Sequence, residues 1–228
     1  MCWSADAIRT RQPMSSCDHP LVPVLEAAAR GAYPEPDGSI EFMAAPDTVA
    51  AALVVFAARL FVCGVDHDVL LPAVRPGSFS DWTGPALCTA IERATGATTG
   101  NLDALLVSRG RGGKLPPDLI EVEGIEHPRV LRAQRYRNGV RVFTTRDDAG
   151  LLVVGRGLLG RCELAYEVAP AARGTGLGRR LVDAGLDIAP AGEAVWAQVA
   201  PANAPSLRVA LAAGFRAVGA EILFTHRA

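Results

Sequence analysis

Apolar residues recur at helical spacing over Leu21 to Arg30 (Leu21, Val24, Leu25, Ala28), with Gly31 behind them as a C-terminal stop. Ser39 to Ala44 alternates as a strand does. Thr48 to Phe56 and Leu60 to Val65 are apolar runs rich in β-branched and aromatic residues, and they predict a buried hairpin. Periodicity leaves a single helix through this Ala-rich stretch as the alternative. Pro72, Pro76, Gly77 and Gly84 then break the chain, and Ser80 or Asp81 is placed to cap a helix running to about Ala94. Leu102 to Val107 reads as a strand, and Ser108 to Pro117, dense in Arg, Gly and Pro, as a connection.

The second half is cleaner. Leu119 to Val122 is a short strand, and Pro128 opens a helix to about Arg137. Strands are predicted over Val140 to Thr144, Leu151 to Val154 and Cys162 to Val168. Gly176 to Ile188 is amphipathic, Ala194 to Val199 a strand, Pro205 to Ala213 a helix, and Phe215 to Val218 and Glu221 to Thr225 two final strands. The resulting order is mixed α/β, in two halves of similar size.

Composition narrows the classes. With 228 residues, half of them apolar and a net charge of −1, the chain can bury a sizeable core, and its near-neutral charge removes the simplest argument for a nucleic-acid or anionic-membrane partner, neither of which is expected. The longest apolar run, Val49 to Ala58, is too short to cross a bilayer, and no secretory leader is visible. Five scattered cysteines without a CxxC pair, and four histidines at no ligand spacing, argue against a metal or a disulfide framework. A cytoplasmic protein, monomeric or homodimeric, is the expectation.

The chemistry concentrates between Cys162 and Val182. A strand ends at Val168-Ala169-Pro170, and the turn Arg173-Gly174-Thr175-Gly176-Leu177-Gly178-Arg179 opens directly into a helix. Amides that begin a helix are unpaired and lie at the positive end of its dipole, so such a turn suits a phosphate or pyrophosphate. The glycines would let the ligand approach the backbone. A Walker loop is excluded because Arg179-Arg180 stands where Lys-Ser/Thr is needed. The dinucleotide fingerprint fails on spacing.

Arg173-Gly-Thr-Gly176-Leu-Gly178 resembles the R/Q-x-x-G-x-G/A signature of the GCN5-related N-acetyltransferase (GNAT) superfamily. Downstream, Val199 to Ser206 with Asn203, then Leu207 to Ala213 and Gly214-Phe215, is similar to that family's strand exit, helix start and closing corner. The resemblance covers residues 118–228. It implies a GNAT-like central mixed sheet with flanking helices, preceded by an irregular segment 1–19, an α/β region 20–110 open to reading as a degenerate second unit, and a linker 111–117.

The resemblance further implies acetyl-CoA as co-substrate and an amine as acceptor. Val168, Arg173, Gly174, Thr175, Gly176, Leu177, Gly178 and Arg179 would hold the cofactor from one side and Asn203 and Ser206 from the other. The family's usual tyrosine acid is replaced here by Ala210, which leaves Tyr166 or water to protonate the thiolate. Glu163 and Glu167 share one strand face by the period-two rule. They are the proposed general base and amine anchor, with Glu163 preferred because Glu167 is near the turn. A non-catalytic acyl-CoA-binding module on the same fold is the alternative.

Overall fold

The computed structural model describes residues 18–70, 72–73 and 81–226. Their elements follow in the order α1 (Leu21–Arg30), β1 (Ile40–Met43), β2 (Ala51–Phe56), β3 (Arg59–Cys63), α2 (His67–Leu70), α3 (Pro85–Thr95), β4 (Thr98–Arg109), β5 (Leu119–Val122), α4 (Pro128–Tyr136), β6 (Asn138–Thr145), β7 (Gly150–Arg156), β8 (Cys162–Val168), α5 (Leu177–Ile188), β9 (Ala194–Val199), α6 (Ala204–Ala212) and β10 (Arg216–Thr225). All ten strands join one mixed sheet in the order β1-β3-β2-β10-β4-β9-β8-β7-β6-β5. The expected mixed α/β architecture is present, and strands from residues 20–110 and 118–228 interleave in it.

Strand alternation sorts the core onto two faces. On β4, Leu105 and Val107 pack with Trp196 against Leu21 and Leu25 of α1. Leu106 points the other way, into the cluster of Leu164, Leu181 and Leu186 under α5. Helix α4 covers Val142 and Val153 on the α1 side, while α3 packs on Leu53 and Ile222 on the α5 side. Each such buried aliphatic side chain contributes about 1.5–3 kcal/mol. Trp196 is a core residue, 2% exposed, beneath the Arg161 guanidinium.

Several boundaries differ from expectation. The β2–β3 hairpin forms, but Thr48 to Ala50 precede it as turn and bend. Helix α3 starts at Pro85 behind Gly84, not at Asp81; Pro76, Gly77, Ser80 and residues 1–17 lie outside the described residues. Phe215 is not in a strand, and the two strands predicted after it are one, β10, with register shifts between Ala217 and Gly219 and between Ile222 and Phe224. A Cβ on Gly219 would lie 2.1 Å from the Val55 carbonyl oxygen, so this glycine permits close strand approach where the sequence pattern predicts a break. The 110–113 segment is pinned: Arg111 donates to Asp183 at 2.7 Å and to Asp187 at 3.0 Å, and the Gly112 amide donates to the Ala189 carbonyl. Among the described residues, no helix is long and apolar enough to cross a membrane.

Candidate active site

Strands β8 and β9 run parallel but pair only at Cys162↔Val195 and Glu163↔Trp196. Beyond that point they part. Strand β4 pairs with β9 up to Ala104↔Val199, so Asp103 and Asn101 extend past the end of β9 along the opening. The gap is a cavity of about 400 Å³, reached by Asn203, Ser206 and Ala210 from the α6 side and by Arg129 and Arg132 from the α4 side. A smaller cavity of about 120 Å³ adjoins it under α4, lined by Asp103, Arg132, Arg137, Glu163, Gln198 and Glu221 among others.

At one end of the gap, the turn after β8 leads into α5. Gly174 (φ 80°) and Gly176 (φ 87°) are left-handed, and a Cβ on either would meet no neighbour within 4 Å. Glycine is required by conformation there and the space beside it is open. No acceptor among the described residues takes the amides of Gly174, Thr175 or Gly176, and the amides of Leu177, Gly178 and Arg179 open the helix. The third glycine serves packing instead. A Cβ on Gly178 would sit 3.2 Å from Tyr166 Cε2, so Gly178 brings α5 down onto β8. Thr175 Oγ1 donates to the Ala172 carbonyl, and Arg173 Nε lies 3.5 Å from the Val168 carbonyl oxygen. Arg179 is turned onto Asp183 at 2.7 Å, which leaves its amide as its contribution to an anion site. The turn fits a pyrophosphate, and the unpaired edge of β8 beyond Glu163 fits an extended arm laid along it.

On the other side of the gap, Asn203 caps α6, its Oδ1 accepting from the Ser206 amide at 3.3 Å. Ala210 is 2% exposed and packed into the core cluster beneath α5 and α6. Tyr166 stands nearby. Burial raises its pKa, only partly opposed by a hydrogen bond with Ser206 and by the charge of Arg129, so the phenol keeps its proton at neutral pH.

The acidic residues behave differently from expectation. Glu163 is 4% exposed and held on both oxygens: Arg161 Nε donates to Oε1 at 2.6 Å and Arg137 Nε to Oε2 at 2.8 Å. Burial pushes its pKa up, but the two guanidiniums outweigh burial and hold it below the usual carboxylate range. Such a carboxylate is a poor proton acceptor, which argues against the role preferred for Glu163. Arg161 also grips both oxygens of Glu221, at 2.8 and 2.6 Å, so Arg137, Glu163, Arg161 and Glu221 form one buried chain of alternating charge. Gly157 makes room for it, since a Cβ there would strike the Glu163 carboxylate at 2.1 Å. Glu167 lies on the rim, half exposed, accepting from Arg129 Nε at 2.9 Å with His127 Nε2 at 3.8 Å.

Asp103 has a different environment. It faces Glu221 directly across the β4–β10 ladder, lines both cavities, and makes no hydrogen bond or ion pair among the described residues. Burial first, and the Glu221 charge second, push its pKa up to about 6, against a smaller opposing effect of Arg132. Sequence patterns alone do not single out Asp103, Arg137 or Glu221. The available signal is a lone acid inside an apolar run, in Leu102 to Val107 and again in Val218 to Phe224. Among the described residues, no cluster of His, Cys, Asp and Glu could hold a metal.

The profile of the acetyltransferase (GNAT) family matches residues 128–215. This span runs from α4 to the corner after α6, so the part of the chain around the opening is similar to GNAT acetyltransferases. Among solved structures, a GNAT-family protein from Novosphingobium aromaticivorans is 20% identical, with 58% of this chain and 68% of that chain covered and a TM-score of 0.40. A GCN5-related N-acetyltransferase from Sphaerobacter thermophilus is 12% identical over 62% of this chain and 56% of that one, with a TM-score of 0.36. No curated protein matches the sequence.

Proposed function

We propose that the chain is an N-acetyltransferase using acetyl-CoA and a primary amine. The observation that carries this reading is the parting of β8 and β9 after two residue pairs, beside a glycine turn with outward amides. Acetyl-CoA, when bound, supplies the activated thioester carbonyl. The amides of Gly174 to Arg179 hold its anionic end, and the free edge of β8 up to Val168 positions its arm between Tyr166 on one side and Asn203 and Ser206 on the other. In the reaction a C–N bond forms and a C–S bond breaks. Asp103 takes the proton that the amine sheds, and Tyr166 gives its phenol proton to the leaving sulfur. A carboxylate with pKa about 6 is mostly ionised at pH 7 and basic enough to serve, whereas Glu163 is committed to two arginines. Glu167 is a secondary anchor at the mouth.

The test is acetyl-CoA calorimetry together with thiol release over a panel of amines. Binding with amine-dependent release supports the reading, and Asp103→Asn is then expected to lower kcat by roughly 10²-fold, as loss of a positioned base does. Tyr166→Phe should lower kcat while acetyl-CoA affinity stays within a few-fold. Binding without turnover of any amine would favour the non-catalytic module instead, and absence of binding would overturn both.

A further inference from the structure

On the α4 side of the opening, the small cavity is built largely from charged side chains. Arg137 is the informative one. Its side chain is nine-tenths buried. Nε donates to Glu163 and Nη2 reaches Gln198 Oε1 at 3.4 Å, but Nη1 finds no acceptor among the described residues. Glu163 has little to offer it, since Oε1 already accepts from Arg161 and from the Leu158 amide, and Oε2 from Arg137 Nε. A buried guanidinium N–H without an acceptor is unfavourable, and folded proteins rarely leave one so. Arg132, which lines the same cavity, makes no ion pair within 4 Å among the described residues; its guanidinium lies over the Tyr136 ring.

Arg137 and Arg132 therefore line a cavity that Asp103 lines as well, its carboxylate making no hydrogen bond or ion pair among the described residues. We infer that the acceptor is a small primary amine that also bears a carboxylate or comparable oxyanion, an amino acid in the simplest case, with the oxyanion on Arg137 Nη1 and Arg132 and the amine toward Asp103. This rests on the acetyltransferase reading. An amine without the oxyanion would leave Nη1 as it is and forgo a charge-assisted hydrogen bond, the strong kind of contact in a buried site.

The experiment uses the full chain, acetyl-CoA and matched sets of amino acids, their carboxamides and the corresponding decarboxylated amines, with thiol release as the readout. Free acids should exceed their carboxamides and plain amines by about tenfold or more in kcat/KM, mostly through KM. Arg137→Lys should bring that preference to within about twofold with acetyl-CoA affinity retained. Carboxamides and plain amines reacting as well as the acids would overturn the inference while leaving acetyl transfer intact. A second readout separates the two readings: titration of 15N-arginine-labelled wild-type protein, which needs no variant to fold. Shifts of a buried arginine side-chain signal with the acids and not the carboxamides, without thiol release, would uphold the oxyanion site and reject acetyl transfer. Neither shifts nor preference would overturn the inference.

Discussion

On the α5 side of the opening between β8 and β9, recognition is offered by backbone: left-handed glycines, unpaired amides and a free strand edge, with Arg179 tied to Asp183 and Arg173 set against the Val168 carbonyl. On the α4 side it is offered by side chains: Arg129, Arg132, Arg137, Asp103, Glu163 and Glu167 meet there from β4, β8, α4 and the turn after α4. Backbone recognition needs a particular chain path, which a few consecutive residues determine. Side-chain recognition needs residues brought together by the whole sheet. Each side of the opening should therefore fail in its own way when disturbed.

The largest effect is expected at Glu163, on the side-chain side. Glu163→Gln removes the anion shared by two buried guanidiniums and should lower stability by about 3–5 kcal/mol, read by urea unfolding. A loss under about 1 kcal/mol would mean that the buried ion chain is not structural. Next is Gly176→Asp on the backbone side. It places a negative charge at a left-handed helix start, and acetyl-CoA affinity should fall about 100-fold by calorimetry while the fold persists. Unchanged affinity would remove the distinction between the two sides.

A smaller effect separates Asp103 from its acidic neighbours. Its native pKa of about 6 lies above the ordinary value of 3.8, so the folded state binds the proton more readily than the unfolded one. The contribution of Asp103 to stability should thus decline as pH rises from about 4 to 6 and stay lower above that. Asp103→Asn should raise Tm at pH 8 by a few degrees, a gain of roughly 1 kcal/mol for a partly exposed group, and the gain should vanish near pH 4. A constant offset across pH would point to repacking. The smallest effect belongs to Glu167: its ion pair with Arg129 is solvent-exposed, so Glu167→Gln should change stability by under about 1 kcal/mol and kcat/KM by a few-fold at most.

The same contrast explains what is legible in advance. Helix α5 and strands β8 and β9 can be read because period-two and period-3.6 patterns are local, and the glycine turn because its residues are consecutive. Gly178 looks from its spacing like a residue for ligand approach, yet its neighbour is Tyr166, a contact made only once α5 lies on β8. Glu163 and Glu167 do share a strand, and Arg161 lies two residues before Glu163, but the other arginines that distinguish them come from residues 129 and 137, which no spacing rule connects to that strand. Asp103 is hidden for a further reason: it belongs to the half without a recognisable motif. Its position beside the opening depends on β4 lying between β10 and β9.

The place of β10 has a consequence for how the protein is made. Arg216 to Thr225 pair with Val107 to Thr98 on one edge, and Ala220 to Phe224 with Val55 to Ala51 on the other. During synthesis the β2–β3 hairpin and β4 leave the ribosome long before the strand that joins them. Until β10 emerges, both expose unsatisfied edges, the condition that favours wrong pairing and aggregation. Contacts of such long sequence separation also slow folding, because the intervening chain must be closed into a loop first. Glu221, the anion opposite Asp103, arrives on that same later strand, so the charge environment of the opening is incomplete until β10 pairs with β4.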